Sequence, residues 1–170
     1  MRVALLTVSD RSARGEREDL SGPLLRQALE AQHWTVVRSG VVADDPESIG
    51  AAIAGWADSK EVDLILTTGG TGFAPRDCTP EATRAVIERE APGLAEAMRL
   101  AGSRHTPHAM LSRAVAGIRG RTLIVNLPGS PKGARQGLDT LLPVLPHAIA
   151  LLTEQADAEQ GHAPPARTKT

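Results

Sequence analysis

The chain has 170 residues, a formal net charge of -1 at pH 7 and 41% hydrophobic residues, with two tryptophans, one phenylalanine and no tyrosine. This length and composition fit one domain with an aliphatic core, and the balanced charge argues against a nucleic-acid partner. The single cysteine excludes an intrachain disulfide or a cysteine-based zinc cluster, and the first apolar run is too short for a signal peptide or a membrane span. We therefore expect a cytoplasmic protein with a small-molecule ligand and no membrane partner.

The first predicted element is a strand over residues 2–8, which ends before Ser9. Its near-continuous apolar sequence is typical of a parallel strand that is covered on both faces. Residues 12–19 are polar and predict an irregular loop, and residues 20–32 predict a packing helix with Ser21 as its N-cap. Ligands bind beyond the carboxyl ends of parallel strands, where this loop would lie, although its charge alone favours an ordinary solvated loop.

The second predicted strand, residues 34–42, leads to two adjacent aspartates and a proline. Pro46 suits the first position of a helix, so Asp45 is the expected N-cap of that helix. This leaves Asp44 at the exit of a strand with no structural role. Exposed loop aspartates often have no function, so the position alone does not decide between a site residue and an idle one.

The third predicted strand, residues 62–67, runs into the sequence TGGTG at residues 68–72. The three glycines permit positive φ angles and a close approach of the backbone to a ligand. Thr79 followed by Pro80 predicts the N-cap and the first turn of a helix. A strand, a glycine loop and a helix N-terminus in this order commonly present N–H groups to phosphate, and Asp77 adds a carboxylate that can bind a divalent cation.

Two familiar phosphate-binding motifs are excluded, whereas a purely structural glycine turn stays open. Pro75 stands where the dinucleotide motif needs its third small residue, and no Gly-Lys-Ser or Gly-Lys-Thr sequence is present for a P-loop. Glycine turns also follow strands for structural reasons alone. The loop by itself therefore favours neither interpretation.

Beyond the glycine loop, the apolar pattern predicts helices over residues 79–90 and 93–101, separated by a proline. His105 and His108 follow in a predicted surface loop. Pro107 lies between them and argues against a regular helical turn that would pair the two imidazoles at a metal.

Residues 110–120 predict a short helix that contains Ser112, and residues 122–127 predict the last buried parallel strand. A second glycine turn follows this strand. Ser130 and Pro131 then predict the N-cap and the first position of another helix, so a second helix N-terminus follows a second glycine turn.

The alternation of strands and helices predicts an α/β domain, a three-layer αβα sandwich with a mostly parallel sheet. In such a sheet the turns after three of the strands meet at one edge, which is the predicted site. We expect the domain to span residues 1–154. Residues 155–170 are expected to form a flexible tail, because their composition is polar with adjacent prolines.

Residues 69–83 read GGTGFAPRDCTPEAT and are similar to the signature of the molybdenum cofactor biosynthesis family, specifically the stand-alone molybdopterin adenylyltransferases. The resemblance reaches to about residue 152. It implies the molybdopterin-binding type of fold and a reaction in which molybdopterin and Mg-ATP give adenylyl-molybdopterin and pyrophosphate. It also implies a homotrimer and, as a partner, a downstream molybdate-inserting enzyme. A non-catalytic pterin-binding paralogue or scaffold is the alternative, because fold and motif can persist without turnover.

The resemblance also implies roles for individual residues. The catalytic residues would be Asp44 and Asp77, which would hold Mg²⁺ against ATP, the co-substrate. The residues that bind nucleotide or phosphate would be Gly69, Gly70, Thr71, Gly72, Ser9 and Asp10. The residues of the substrate pocket would be Ser112, Pro128 and Gly129.

Overall fold

Six strands form one mixed sheet in the computed structural model, which describes residues 1–154. The strands are β1 (Arg2–Val8), β2 (Thr35–Val42), β3 (Leu64–Thr68), β4 (Arg89–Glu90), β5 (Ala116–Arg119) and β6 (Thr122–Leu127). Their order across the sheet is β2-β1-β3-β6-β5-β4. The first four strands in this order are parallel, whereas β5 pairs antiparallel with β6 and β4 pairs antiparallel with β5. The predicted mostly parallel sheet is thus confirmed. The predicted tail, residues 155–170, lies outside the described residues.

Helices cover both faces of this sheet. They are α1 (Asp10–Ala13), α2 (Ser21–Glu30), α3 (Pro46–Asp58), α4 (Thr79–Val86), α5 (Pro92–Ser103), α6 (Pro131–Leu141) and α7 (Leu145–Leu152), with a 3₁₀ helix at Pro107–Leu111. Helices α2, α5, α6 and α7 share one core with the sheet, and α3 and α4 share another core on the opposite face. This arrangement is the predicted three-layer sandwich. No helix in residues 1–154 is both long and apolar enough to cross a membrane.

Successive residues of the central strands point to opposite helical layers. In β3, Leu64 and Leu66 belong to the core beneath α2, α5, α6 and α7, whereas Ile65 belongs to the core beneath α3 and α4. All three side chains are buried. Burial on both faces explains why the sequence of this strand is continuously apolar rather than alternating.

Two predicted helices differ from the structure. The predicted helix of residues 79–90 ends at Val86, and Arg89–Glu90 forms the short strand β4. The predicted helix of residues 110–120 is wrong, because this segment begins in the 3₁₀ helix and ends in β5, which forms a hairpin with β6. Gly120 turns the hairpin with a φ of 55°, a conformation that favours glycine. Pairing with β6 outweighs the local helical preference of the sequence.

The segment after β1 also differs from the prediction. The predicted irregular loop of residues 12–19 begins inside α1, and the Ser9 hydroxyl caps this helix by accepting a hydrogen bond from the Ser12 N–H at 3.3 Å. Ser21 is not the cap of α2 but its first residue. The Asp19 carboxylate accepts the Ser21 N–H at 3.0 Å, because a carboxylate two residues upstream reaches this donor.

Asn126 in β6 joins several segments inside the fold. Its amide nitrogen donates to the hydroxyl of Thr67 in β3 at 3.0 Å and to the hydroxyl of Thr83 in α4 at 2.9 Å. Its side-chain oxygen accepts the Val115 N–H at 3.2 Å. Asn126 is fully buried, and a buried amide needs such partners. Because Thr67 precedes the glycine loop and Thr83 follows it, Asn126 connects the two ends of that segment.

Candidate functional site

The carboxyl ends of β1, β3 and β6 contact one another. A methyl group added at Gly69, after β3, would lie 2.1 Å from the carbonyl oxygen of Val8 in β1, and one added at Gly129, after β6, would lie 3.0 Å from the Cα of Gly69. The Thr68 hydroxyl donates to the Pro128 carbonyl at 2.7 Å. The backbones approach closely because these positions lack side chains. The prediction that three strand ends meet at one edge is therefore confirmed.

The glycine loop, residues 69–72, has a backbone conformation that side chains disfavour. The φ angle is 106° at Gly69 and 60° at Gly70. The Thr79 N–H donates to the Gly70 carbonyl at 3.0 Å, and the Thr79 hydroxyl donates to the Gly69 carbonyl at 2.9 Å. The prediction that Thr79 caps α4 is wrong, because Thr79 is the first residue of the helix and its hydroxyl is occupied by the loop. A fully buried side chain thus fixes the loop from the helix side.

Three N–H groups of the glycine loop have no acceptor within residues 1–154. They belong to Gly70, Thr71 and Gly72, and they take part in no hydrogen bond of the described backbone or side chains. The Gly69 N–H, in contrast, donates to the Leu127 carbonyl at 3.4 Å. Thr71 is buried, whereas Gly70 and Gly72 are half-buried. A buried backbone N–H group almost always has a partner, and successive unpaired donors are suited to bind an anion.

The residues that carry these donors line a cavity of about 770 Å³. Most of the site residues predicted from the sequence lie in its wall: Gly70, Thr71, Gly72, Asp77, Ser112, Pro128 and Gly129. Four predicted site residues lie outside that wall: Ser9, Asp10, Asp44 and Gly69. The structure therefore brings the two glycine turns together at one cavity, whereas the other four residues do not line it.

The rest of the cavity wall comes from α5, the 3₁₀ helix and α6. Of these three elements, the sequence predicts only the N-terminus of α6, after the second glycine turn, as part of the site. The polar side chains of this part of the wall are Arg99, His105, Thr106, His108, Ser130, Gln136, Asp139 and Thr140. Among the described residues, Arg99 is the only Arg or Lys side chain that lines this wall. Its Nη1 donates to the carbonyls of Ser112 at 3.4 Å and Ala114 at 3.0 Å. No local pattern marks Arg99, because its position depends on how α5 packs.

The Asp77 carboxylate lies beside Gly72 in the cavity wall. A methyl group added at Gly72 would lie 2.9 Å from Asp77 Oδ2. That oxygen accepts the Ala74 N–H at 3.0 Å, and the Asp77 N–H donates to the Ala74 carbonyl at 2.9 Å. Asp77 Oδ1 takes part in no hydrogen bond of the described residues. The turn at residues 72–77 therefore fixes the carboxylate and leaves one of its oxygens for a ligand.

Asp44 and Asp10 bind each other's backbone. Asp44 Oδ2 accepts the Asp10 N–H at 2.8 Å, and Asp10 Oδ1 accepts the Asp44 N–H at 3.1 Å. The prediction that Asp44 has no structural role is therefore wrong, because it joins the segment after β2 to α1. Its other oxygen faces the glycine loop, since a methyl group added at Gly70 would lie 3.1 Å from Asp44 Oδ1. Asp45 is the predicted N-cap and accepts the Ser48 N–H at 2.8 Å.

Arg76 connects the segment after the glycine loop to α1. Its Nε lies 2.5 Å from Asp10 Oδ2, and its side chain is 68% exposed. The hydrogen bond from Arg76 lowers the pKa of the Asp10 carboxyl below its ordinary value, and the Asp44 N–H adds to this effect. Both oxygens of Asp10 are thus engaged by neighbouring residues at the solvent edge of the site.

Asp44 and Asp77 approach the glycine loop at two places, beside Gly70 and beside Gly72. Burial raises the pKa of the Cys78 thiol, and the negative charges of Asp44, Glu81, Asp45 and Asp77 raise it further. The described residues contain no group of three or more metal-ligating side chains. Mg²⁺ is usually bound by one or two carboxylates together with substrate phosphates. The two aspartates therefore fit Mg²⁺ as part of a complex with a phosphate ligand.

Comparison with known proteins assigns the family. A family model described as a probable molybdopterin binding domain matches residues 4–147. The chain belongs to this molybdopterin-binding family. The family resemblance of residues 69–83 and the predicted type of fold are thereby confirmed.

Individual members of the molybdopterin-binding family show how far the similarity extends. The solved molybdopterin biosynthesis enzyme MoaB of Thermus thermophilus is 57% identical with a TM-score of 0.86, covering 91% of this chain and 97% of that chain. The molybdopterin adenylyltransferase of Helicobacter pylori strain J99 is 40% identical over 88% of this chain and 86% of that protein. The molybdenum cofactor synthesis protein cinnamon of Drosophila melanogaster is 41% identical over 98% of this chain, which spans only 30% of that relative.

Proposed function

We propose that this protein is a molybdopterin adenylyltransferase of molybdenum cofactor biosynthesis. In the proposed reaction, molybdopterin and Mg-ATP give adenylyl-molybdopterin and pyrophosphate. The Helicobacter relative, of which this chain covers 86%, is named a molybdopterin adenylyltransferase. Its name and coverage confirm the sequence prediction that the chain is an enzyme of the nucleotidyltransferase class.

The main support for this proposal is the set of unpaired N–H groups of Gly70, Thr71 and Gly72, residues that line the cavity. Phosphate oxygens are strong hydrogen-bond acceptors, and preorganised backbone donors need little rearrangement to bind them. We infer that Gly70, Thr71 and Gly72 bind phosphate oxygens of ATP. The cavity of about 770 Å³ is within the usual size range of small-molecule sites, and it continues to Pro128 and Gly129. These two residues would contact the pterin substrate together with Ser112.

The cavity wall contains the carboxylates of Asp77 and of Asp139, which pairs with Arg135, and one cation that supports a phosphate ligand. Arg99 carries a permanent positive charge, and no carboxylate of the described residues forms an ion pair with it. Its Nη1 is anchored to two carbonyls, so we propose that the rest of the guanidinium offsets phosphate charge. Ser9, Asp10 and Gly69 do not line the cavity. We propose that they support its wall rather than bind the nucleotide.

The proposed chemistry depends on positioning and charge neutralisation. The terminal phosphate of molybdopterin would attack the α-phosphorus of ATP, forming a new P–O bond while the bond from the α-phosphorus to the bridging oxygen of pyrophosphate breaks. The nucleophile is already an anion, so no side chain has to remove a proton. The loop N–H groups would hold the phosphate oxygens while negative charge moves toward pyrophosphate.

We propose that Asp44 and Asp77 hold Mg²⁺. When bound, this ion would offset the negative charge of the ATP phosphates. Each aspartate has Oδ2 fixed by a backbone N–H, from Asp10 and from Ala74 respectively. The Oδ1 atoms form no hydrogen bond with the described residues, so each carboxylate is oriented and still has an oxygen to contribute.

Incubation of the purified protein with molybdopterin and Mg-ATP tests the proposal. We expect mass spectrometry to show a pterin product heavier by one adenylyl group, with one pyrophosphate released for each product. Binding of both substrates without product would instead favour the alternative, a non-catalytic scaffold. A protein that binds neither molybdopterin nor ATP would refute both functions.

We also propose a cytoplasmic homotrimer that passes its product to a molybdate-inserting enzyme. The cytoplasm supplies ATP, the proposed co-substrate. The Drosophila relative joins a segment similar to this chain to further sequence, because this chain spans only 30% of it. Light scattering should give a solution mass of three chains, and a monomer would refute the trimer.

A further inference from the structure

Arg113 contacts the glycine loop and the turn that follows it. Its Nε donates to the Gly72 carbonyl at 2.7 Å, and its Nη2 donates to the Asp77 carbonyl at 2.5 Å. Its Nη1 forms an ion pair with the Glu81 carboxylate in the first turn of α4. Its backbone N–H donates to the Thr71 carbonyl at 2.8 Å. One residue therefore bonds to the loop, to both ends of the turn and to the helix that follows.

The turn between these two carbonyls is the one that fixes the Asp77 carboxylate. Inside it, the Ala74 N–H binds Asp77 Oδ2 and the Asp77 N–H binds the Ala74 carbonyl. A guanidinium group has its donors in a rigid planar fork, so it sets the relative positions of the carbonyls that it binds. Arg113 does not line the 770 Å³ cavity, and it borders a second cavity of about 380 Å³ instead.

We propose that Arg113 is a positioning residue, which holds the glycine loop and Asp77 in the geometry that adenylyl transfer requires. It acts through main-chain carbonyls, so the N–H groups of the loop stay available to the ligand. The kinetic consequence rests on the proposed function. The ordering of the turn at residues 72–77 does not rest on that function, because it follows from hydrogen bonds within the protein.

Arg119 provides a matched control at the other end of α4. Its Nε and Nη2 bind the Asp58 carboxylate, both at 2.8 Å, and its Nη1 binds the Val86 carbonyl at 3.0 Å. The two arginines therefore have the same kinds of partner, a carboxylate and main-chain carbonyl. Their side chains are similarly exposed, 33% for Arg113 and 27% for Arg119. Only Arg113 contacts the glycine loop.

The test compares Arg113→Ala with Arg119→Ala by amide hydrogen exchange and by steady-state kinetics. In Arg113→Ala, we expect the hydrogen-bonded amides of Ala74 and Asp77 to exchange roughly 10-fold faster or more. The kcat of adenylylation should fall by roughly 10-fold or more while the KM for molybdopterin stays within about 2-fold, since small displacements of positioned groups lower rates steeply. Arg119→Ala should leave both exchange and kcat near wild type.

Two further measurements separate positioning from general stability. Guanidinium ion, added to Arg113→Ala at concentrations that do not unfold the protein, should restore part of kcat and slow the exchange again. Arg113→Lys keeps the charge but lacks the planar fork, so its kcat should stay closer to that of Arg113→Ala than to wild type. If Arg113→Ala does not fold, Arg113→Lys is compared with Arg119→Lys in the same way.

Unchanged exchange at Ala74 and Asp77 in a folded Arg113 variant would overturn the proposal. Equal acceleration in the Arg119 variant would also overturn it, because the effect would then reflect stability alone. A wild-type protein without adenylylation activity would refute the proposed function, while the exchange rates would still decide whether Arg113 orders the turn.

Discussion

Replacing Gly70 by alanine should weaken both the stability of the fold and the binding of ATP. Gly70 has a φ of 60°, and a side chain in this left-handed region costs roughly 1–2 kcal/mol. The added methyl group would lie 2.4 Å from the Thr79 hydroxyl, which must then move and lose its bond to the Gly69 carbonyl. That loss is worth about 0.5–1.5 kcal/mol. The free energy of unfolding should therefore fall by roughly 1.5–3.5 kcal/mol.

Gly120→Ala is the matched control for this change. Gly120 has a φ of 55°, and no atom lies within 4 Å of a methyl group added there. It turns the hairpin between β5 and β6 and does not line the cavity. The substitution should cost only the backbone contribution of roughly 1–2 kcal/mol and leave ATP binding unchanged. Urea denaturation of both variants isolates the contribution of the contact with Thr79.

The effect on ATP affinity follows from the unpaired N–H groups. Displacement of the loop in Gly70→Ala should remove at least one hydrogen bond to a charged phosphate, worth about 1.5–3 kcal/mol. The affinity for Mg-ATP should therefore fall by roughly 10-fold or more, which isothermal titration calorimetry can measure. A folded Gly70→Ala variant that binds ATP as tightly as Gly120→Ala would refute the assignment of this loop to nucleotide binding.

Two further predictions concern carboxylates. Asp77→Asn and Asp44→Asn each remove a charge that we propose to hold Mg²⁺, so adenylylation should slow by roughly 10²-fold or more. Asp45→Asn is the control, because asparagine still caps the helix, and its rate of adenylylation should stay near that of the wild type. The opposite ranking of Asp44 and Asp45 would contradict our choice between them. Arg76 lowers the pKa of the Asp10 carboxyl in the folded protein. The stability that their ion pair adds is therefore fully present above the pKa of about 3.9 that Asp10 has in the unfolded chain. This stability is lost as the pH falls through the lower pKa of Asp10 in the folded protein. Urea denaturation should therefore show a stability difference between wild type and Arg76→Gln that shrinks below about pH 4, and a difference independent of pH would argue against the pair.

The central strands and the site edge could be predicted because their patterns are local. Continuous apolar runs identify β1, β3 and β6 as buried parallel strands, and the glycine turns after them mark the ends that meet. The caps at Asp45 and Ser130 are local as well, since each side chain reaches an N–H three residues ahead, at 2.8 and 3.2 Å. Such features depend on a few adjacent residues and need no knowledge of packing.

The other features depend on contacts between segments distant in the sequence. Strand β5 forms because it pairs with β6, and its own sequence, AGIR, has no period that predicts a strand. The Thr79 hydroxyl is taken by the carbonyl of Gly69, ten positions earlier, rather than by the helix that Thr79 begins. Arg99 reaches the cavity because α5 packs beside residues 112–114. Local patterns do not show which side of a helix meets a cavity that other elements build.

The hydrogen bonds of Asn126 restrict how far the two stems of the glycine loop can separate. Since Asn126 ties Thr67 to Thr83, the two stems of the glycine loop cannot separate without leaving a buried amide unpaired, at a cost of roughly 1–3 kcal/mol. The glycine loop is therefore held at both stems, so a ligand meets backbone N–H groups whose positions are set before it binds.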